Sequence, residues 1–214
     1  KSRKLSLFTS SKQMADWPPS FKKLTSLRIK LKLEFDSKNS KFYLEKGLED
    51  SDIQFAVAWA NCKNTIYTIS SENKSYYNNS SNSMEIVKEN EFLIYNELGD
   101  GWVTHNEYKL IDTFKCYKAT KSVEYETRNG LQKKVITAWY CPELPYSFGP
   151  NGYFGLPGLI LELTDKNVTF IAQKIKLLKK GKIEFIKKGK LISNKEYQNI
   201  LKNRIEEVKE NLKN

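Results

Sequence analysis

Residues 27–35 read Leu-Arg-Ile-Lys-Leu-Lys-Leu-Glu-Phe, an unbroken alternation of apolar and charged side chains. A period of two puts Leu27, Ile29, Leu31, Leu33 and Phe35 on one face of an extended strand and the charges on the other. Such a strand has one dry face and one wet face, so it must lie in a sheet packed on a core. This alternation fixes the class of fold before any other residue is considered.

Further strands are expected at 41–44, 53–60, 66–69, 92–95, 102–105, 111–126, 131–140, 159–163, 168–178 and 183–186. The run 53–60 is nearly continuous in apolar residues, as in a strand near the centre of a sheet. Residues 70–83 are almost entirely polar and read as a loop or a solvated hairpin tip. Gly99-Asp100-Gly101 is expected to join 92–95 to 102–105 as a hairpin, and Lys179-Lys180-Gly181-Lys182 to join 168–178 to 183–186. Trp17-Pro18-Pro19 bars a regular interior element, which makes the N-terminal segment an irregular or edge piece. No repeat and no linker interrupts the chain.

Asn129-Gly130 is a strong turn signal between 111–126 and 131–140, because both residues tolerate positive φ. A two-residue loop pairs Arg128 with Leu131 and sets Cys116 diagonal to Cys141. A four-residue loop with left-handed Gly130 at its end pairs Glu126 with Leu131 and sets the two cysteines directly opposite. Either register places both sulfurs on one face, so Cys116 and Cys141 are a disulfide candidate, with two neighbouring free thiols as the alternative. The third cysteine, Cys62, has no evident partner, and no spacing fits a zinc site.

The chain closes with a helix. Ser193-Asn194-Lys195-Glu196 has the form of a capping box, and Tyr197, Ile200, Leu201, Ile205, Val208 and Leu212 follow at helical spacing. This apolar stripe is expected to pack on the sheet. The architecture expected is mainly β: a curved antiparallel sheet or half-open β-barrel over 1–192, as a single domain, with an amphipathic helix over 193–214 packed on it.

The net charge of +11, from 36 basic and 25 acidic residues in 214, raises the question of nucleic acid. The lysines, however, are spread along the chain and mostly alternate with apolar residues as the wet faces of strands. Only 174–190 concentrates them, in what reads as a solvated hairpin face. No nucleic-acid partner is expected, and an acidic partner or an anionic membrane surface fits better. No stretch reaches the ~20 apolar residues of a spanning helix. The first residue is Lys1, which suggests a processed or trimmed product whose leader has been removed.

The segment from Cys141 to Gly158 is Cys-Pro-Glu-Leu-Pro-Tyr-Ser-Phe-Gly-Pro-Asn-Gly-Tyr-Phe-Gly-Leu-Pro-Gly. Four prolines and four glycines exclude helix or central strand here. Gly149-Pro150-Asn151-Gly152 fits a turn, and Leu156-Pro157-Gly158 fits a type II turn with Gly158 at positive φ. So long a loop in a compact domain is packed on itself or functional. Its aromatic residues Tyr146, Phe148, Tyr153 and Phe154 can line a groove for a peptide, lipid or sugar, or cap one end of the core. With Trp139, Glu143, Leu156 and Pro157 they form the candidate binding set.

The same stretch carries a resemblance. Ala138-Trp139-Tyr140, Pro142-Glu143-Leu144-Pro145, Phe148-Gly149-Pro150 and Gly155-Leu156-Pro157-Gly158-Leu159-Ile160 follow in the order and spacing of the GLPGLI family, named for the last six residues. Upstream, Tyr108-Lys109-Leu110-Ile111 and Phe114-Lys115-Cys116-Tyr117-Lys118-Ala119-Thr120 resemble the family's cysteine-containing strand. The likeness covers about 102–178. It implies a signal-peptide-bearing envelope protein of unknown function, from Gram-negative bacteria rich in TonB-dependent outer-membrane transport. Cys141 departs from the pattern, where Thr or Ser is more usual, so a bridge to Cys116 would be this chain's own.

Catalytic constellations are weak. His105 is the only histidine, and its acidic neighbours Glu107 and Asp112 come with no nucleophile elbow. Cys62 is a nucleophile candidate, and Glu143 with Glu162 a carboxylate pair of unknown separation. No metal-ligand spacing, P-loop or dinucleotide fingerprint is present, and no cofactor is expected. The reading favours a non-enzymatic binding or accessory protein of the periplasm or outer membrane, whose partner is another envelope protein or a peptide or apolar ligand, with peripheral membrane contact possible. The alternatives are a hydrolase or peptide-processing enzyme of the envelope and a structural subunit of an outer-membrane complex.

Overall fold

The structure is a computed structural model that describes residues 3–11, 29–45, 54, 56–58, 60–80, 86–97, 99–127, 130–166, 168–177, 183–185 and 188–211. Twelve strands follow in chain order: β1 (Arg3–Ser11), β2 (Lys30–Phe35), β3 (Asn39–Leu44), β4 (Ile66–Ile69), β5 (Lys74–Asn78), β6 (Phe92–Asn96), β7 (Val103–Ile111), β8 (Phe114–Thr127), β9 (Gly130–Cys141), β10 (Leu159–Asp165), β11 (Val168–Leu177) and β12 (Lys190–Ser193). The helix α1 (Asn194–Asn211) ends the described chain.

All twelve strands belong to one sheet, in the order β12-β6-β5-β4-β3-β2-β1-β11-β10-β9-β8-β7. Only the β12–β6 pair is parallel. The chain is mainly β and the sheet curved, as the alternation at 27–35 requires. Phe42 of β3 and Phe170 of β11 lie several strands apart in that order, yet their rings meet edge to face at 5.9 Å. The sheet therefore bends round its own core without closing into a barrel. Ile29, Leu31, Leu33 and Phe35 are all 1% exposed or less, so the predicted dry face is dry over the described residues, Leu27 lying outside them. Each such burial contributes about 1.5–3 kcal/mol.

A smaller core joins Val87, Phe92, Ile94, Ile192 and Tyr197, with Ile200 and Leu201 against it. This is where α1 lies on β6 and β12. The capping box forms: Ser193 N donates to Glu196 Oε2 at 2.7 Å and Glu196 N to Ser193 Oγ at 3.2 Å. Arg204 then clasps Glu91 at 2.7 and 3.1 Å and donates to the Ile86 carbonyl at 2.9 Å. Among the described residues no helix is long and apolar enough to cross a membrane.

Several expectations are corrected. The N-terminal strand is no edge piece: β1 sits between β2 and β11, while Trp17-Pro18-Pro19 lies outside the described residues. The run 53–60 is not a strand, because Gln54 and residues 56–58 are helical and Ala60 N donates to Ala56 O at 2.9 Å. Short apolar runs do not separate strand from buried helix, and the alanines here tolerate a helical turn. The polar run 70–83 contains a strand, β5, turned back on β4 by left-handed Asn73 (φ 52°). No hairpin joins 92–95 to 102–105, since both edges of β6 are taken by β5 and β12. Residues 183–185 are not a strand; β11 pairs instead with β1 and β10.

Candidate functional site

The Pro/Gly segment is an ordered plug. Leu159 N donates to Leu144 O at 2.9 Å, Ile160 N to Phe148 O at 2.9 Å and Gly155 N to Ser147 O at 3.0 Å, while Phe148 and Phe154 form an isolated antiparallel bridge. Trp102 Nε1 donates to the Phe154 carbonyl at 2.8 Å from the far side. The Gly149–Gly152 turn forms, with Pro150 leading and Asn151 left-handed at φ 53°. The type II turn at Leu156-Pro157-Gly158 does not. Gly158 is absent from the positive-φ glycines, and its N–H reaches back to Leu156 O at 2.8 Å. Gly158 is needed for space instead: a Cβ there would lie 2.2 Å from the Cys141 carbonyl oxygen.

The candidate binding set is divided by burial. Phe148, Tyr153, Phe154 and Leu156 are at most 5% exposed. Tyr146 is half-buried and packs on Phe35 at 5.1 Å between ring centroids. These side chains pack on the core, with Tyr153 also at the edge of a polar cleft. Glu143 and Pro157 are exposed, and half-buried Trp139 carries the Lys109 ammonium 4.4 Å from its ring centre.

The weak constellations resolve into ordinary contacts. Lys109 reaches past Trp139 to Glu162 at 2.7 Å, so Glu162 is tied to a cation while Glu143 stands in solvent. His105 Nε2 lies 2.8 Å from Thr120 Oγ1, and Glu107 is held by Lys118 at 2.9 Å. Cys62 is fully buried, its thiol aimed at the Val57 carbonyl at 3.6 Å and pushed up to about 12 by burial. A protonated, enclosed thiol is no nucleophile at neutral pH.

β8 and β9 adopt the second of the two registers, with Glu126 opposite Leu131 and Gly130 at φ 95°. Cys116 and Cys141 are two free, buried thiols in the structure, the alternative to a bridge between them. Each is held protonated by burial, and Cys116 Sγ points at the Phe114 carbonyl at 3.6 Å.

Periodicity did not reveal one further site, a polar cleft. A cleft of about 370 Å³ opens between β4–β5–β6, the start of α1 and the β9–β10 pair. Seven carboxamides line it: Asn61, Asn64, Asn79, Asn96, Asn151, Asn194 and Gln198. Their chain positions are scattered, and only folding brings them together. An adjoining cavity of about 480 Å³ shares Asn61, Lys134, Asn151 and Asp165 and extends to Phe170.

The walls of the cleft are braced. Tyr77 donates its hydroxyl to Asn194 Oδ1 at 3.1 Å, and Asn79 is spent on Lys88 O at 2.7 Å and Phe92 N at 2.8 Å. Lys134 holds both oxygens of Asp165 at 2.6 and 2.7 Å, and the Tyr153 hydroxyl donates to the same carboxylate at 3.3 Å. Burial, reinforced by Asp165, keeps Tyr153 protonated. Asn61, Asn64, Asn96 and Asn151 have no side-chain hydrogen bond among the described residues, and Ser75 Oγ is buried without a partner. Hydrogen-bonding capacity is therefore stored here and not spent internally. Among the described residues no cluster of three or more His, Cys, Asp or Glu could hold a metal ion.

Residues 126–162 match a family described as a protein of unknown function (Porph_ging), a stretch that supplies Lys134, Asn151 and Tyr153 of the cleft and the whole Pro/Gly plug. Among solved structures the chain is similar to PNGF-II. Its C2 crystal form matches at TM-score 0.56 and 14% identity, and its P21 form at 0.58 and 12%. Each covers 95% of this chain but 33% of the PNGF-II chain, so this chain spans about a third of that protein's length. At such identity the likeness shows the fold alone. No curated protein matches the sequence.

Proposed function

We propose that this chain is a binding or accessory protein of the bacterial cell envelope, similar to the GLPGLI family, that holds a polar ligand in its asparagine-lined cleft. The observation that carries this reading is the set of unspent carboxamides around buried, unpartnered Ser75. Buried polar groups are normally satisfied within the protein, because leaving one unmade costs about 1–3 kcal/mol. Ser75 Oγ is the group here that is both buried and unpartnered; Asn61 is exposed and Asn64, Asn96 and Asn151 are half-buried, so their open amides beside it form a polar wall that a ligand can complete.

The Pro/Gly plug then has a structural share in the work: it seals the core and sets Asn151 and Tyr153 in the cleft wall. The motif order that ends in Gly155-Leu156-Pro157-Gly158-Leu159-Ile160 supports the envelope assignment. An apolar ligand fits the cleft poorly, since it would desolvate the amides without replacing their hydrogen bonds.

Two measurements test the proposal. Fractionation of the native cell, with detection by antibody, is expected to place the protein in the envelope; a cytosolic protein contradicts that part. Wild type and an Asn64→Leu/Asn96→Leu variant are incubated with a small-molecule extract of bacterial envelope, washed and denatured. Mass spectrometry is expected to find compounds released by wild type and not by the variant. Equal release from both, or from neither, overturns the cleft as the binding site.

A further inference from the structure

We infer that the cleft is a saccharide site, taking a neutral sugar through its asparagine side chains. The inference rests on the binding role proposed above and names the ligand class. The first argument is charge. Among the described residues that line the cleft, the ionic side chains are Lys134 and Asp165, and they neutralise one another at 2.6 Å. No excess cation is left for a phosphate or a nucleotide, and no excess anion for a basic peptide.

The second argument is hydrogen-bonding pattern. A carboxamide both donates and accepts, as does a hydroxyl. Asn61, Asn64, Asn96 and Asn151 hold that capacity in reserve, and Ser75 adds a further hydroxyl that is 1% exposed. A ligand dense in neighbouring hydroxyls matches such a wall group for group. A ligand with one or two polar atoms would leave most of the wall desolvated and unpaired.

Backbone geometry separates sugar from peptide. Extended peptides gain affinity by adding to an open sheet edge. Here the walls formed by β4 and β5 have no open edge: β4 is paired by β3 and β5, and β5 by β4 and β6. Recognition has to come from side chains. The backbone that carries Asn61 and Asn151 is set at left-handed φ of 48° and 53°, and the Asn194 side chain is pinned by the Tyr77 hydroxyl. Preorganised groups lose little freedom on binding. The volume of about 370 Å³ falls within the ~300–1,000 Å³ usual for small-molecule sites.

The test is titration calorimetry with free neutral mono- and disaccharides of the gluco, galacto, manno and N-acetylhexosamine series, beside an uncharged hexapeptide mixture. At least one saccharide is expected to bind, and Asn64→Leu/Asn96→Leu to weaken it tenfold or more. An unchanged melting temperature of the variant shows that the loss is not unfolding. A second variant, Leu110→Ser on exposed β7, is expected to bind as wild type does. Peptide binding with no saccharide binding overturns the sugar inference and leaves the binding role standing. Saccharide binding unaffected by the double variant also overturns it. If no saccharide binds while the envelope extract yields a cleft-dependent compound of another class, the sugar inference alone falls; if the extract yields none, both fall.

Discussion

Lys134 and Asp165 stand two residues out of direct register across the β9–β10 pair, and the lysine spans the diagonal to grip both oxygens of the carboxylate at 2.6 and 2.7 Å. Both side chains are largely shielded from solvent, at 21% and 17% exposure. The same carboxylate receives the Tyr153 hydroxyl. One acidic group therefore ties strand β9, strand β10 and the Pro/Gly plug together at the edge of the cleft.

Asp165→Ala is expected to destabilise the protein by about 1–3 kcal/mol, because it strands a shielded ammonium and a buried phenol at once. Asp165→Asn keeps an acceptor for Tyr153 and is expected to lose less. Urea denaturation of the three proteins orders them; equal midpoints would contradict the bracing role.

Two glycines at nearly the same positive φ are expected to behave differently. At Gly130 (φ 95°) a Cβ would meet nothing within 4 Å, whereas at Gly155 (φ 96°) it would lie 2.1 Å from the Gly99 carbonyl oxygen. Gly130→Ala is expected to cost only the left-handed strain of about 1–2 kcal/mol. Gly155→Ala adds overpacking of about 1–3 kcal/mol. Thermal melts giving equal losses would show that the plug yields.

The helix is expected to loosen in acid. The Arg204 hydrogen bond holds the Glu91 carboxyl below the usual range, and the Ser193 hydroxyl does the same for Glu196. A depressed carboxyl contributes stability that is complete above its unfolded value, ~4.3, and lost as pH falls through the folded one. The protection of α1 amides, taken relative to the intrinsic exchange rate at each pH, is therefore expected to fall below about pH 4 ahead of that of the core strands. Arg204→Leu removes the Glu91 part of that dependence; an unaltered profile would count against it.

Thiol chemistry gives a separate check. Cys62, Cys116 and Cys141 are buried, and burial pushes Cys62 and Cys116 up to about 12. The native protein at pH 8 is expected to react slowly with a thiol-specific disulfide reagent, and the unfolded protein without reductant to yield three equivalents. One equivalent on unfolding would reveal a closed Cys116–Cys141 bridge.

The strand pattern was legible wherever one face is wet and one dry, as at Leu31, Leu33 and Phe35. It failed where that contrast vanishes. Ala56 and Val57 sit in an apolar run that serves a helical turn, and Ser75 and Tyr76 are buried within a stretch whose composition reads as loop. Gly158 reads as a turn glycine chosen for φ, whereas its constraint is crowding against the Cys141 carbonyl. Proline and glycine spacing located the plug, yet Phe148 and Phe154 turn inward while Tyr153 lines the cleft. The cleft left no local signal, because Asn61, Asn96, Asn151 and Asn194 are drawn from separate elements. Only an excess of asparagine beyond what turns require could have hinted at it.

The central place of β1 has a consequence for how the molecule is made. Arg3 lies opposite Phe35 on one side and Leu177 on the other. Synthesis must reach β11 before the first strand gains its second neighbour, so contacts of very large sequence separation complete the sheet last, and folding is slow. A chain halted after Asp165 would leave β1 and β10 each with an unpaired edge, an open template for association with other copies.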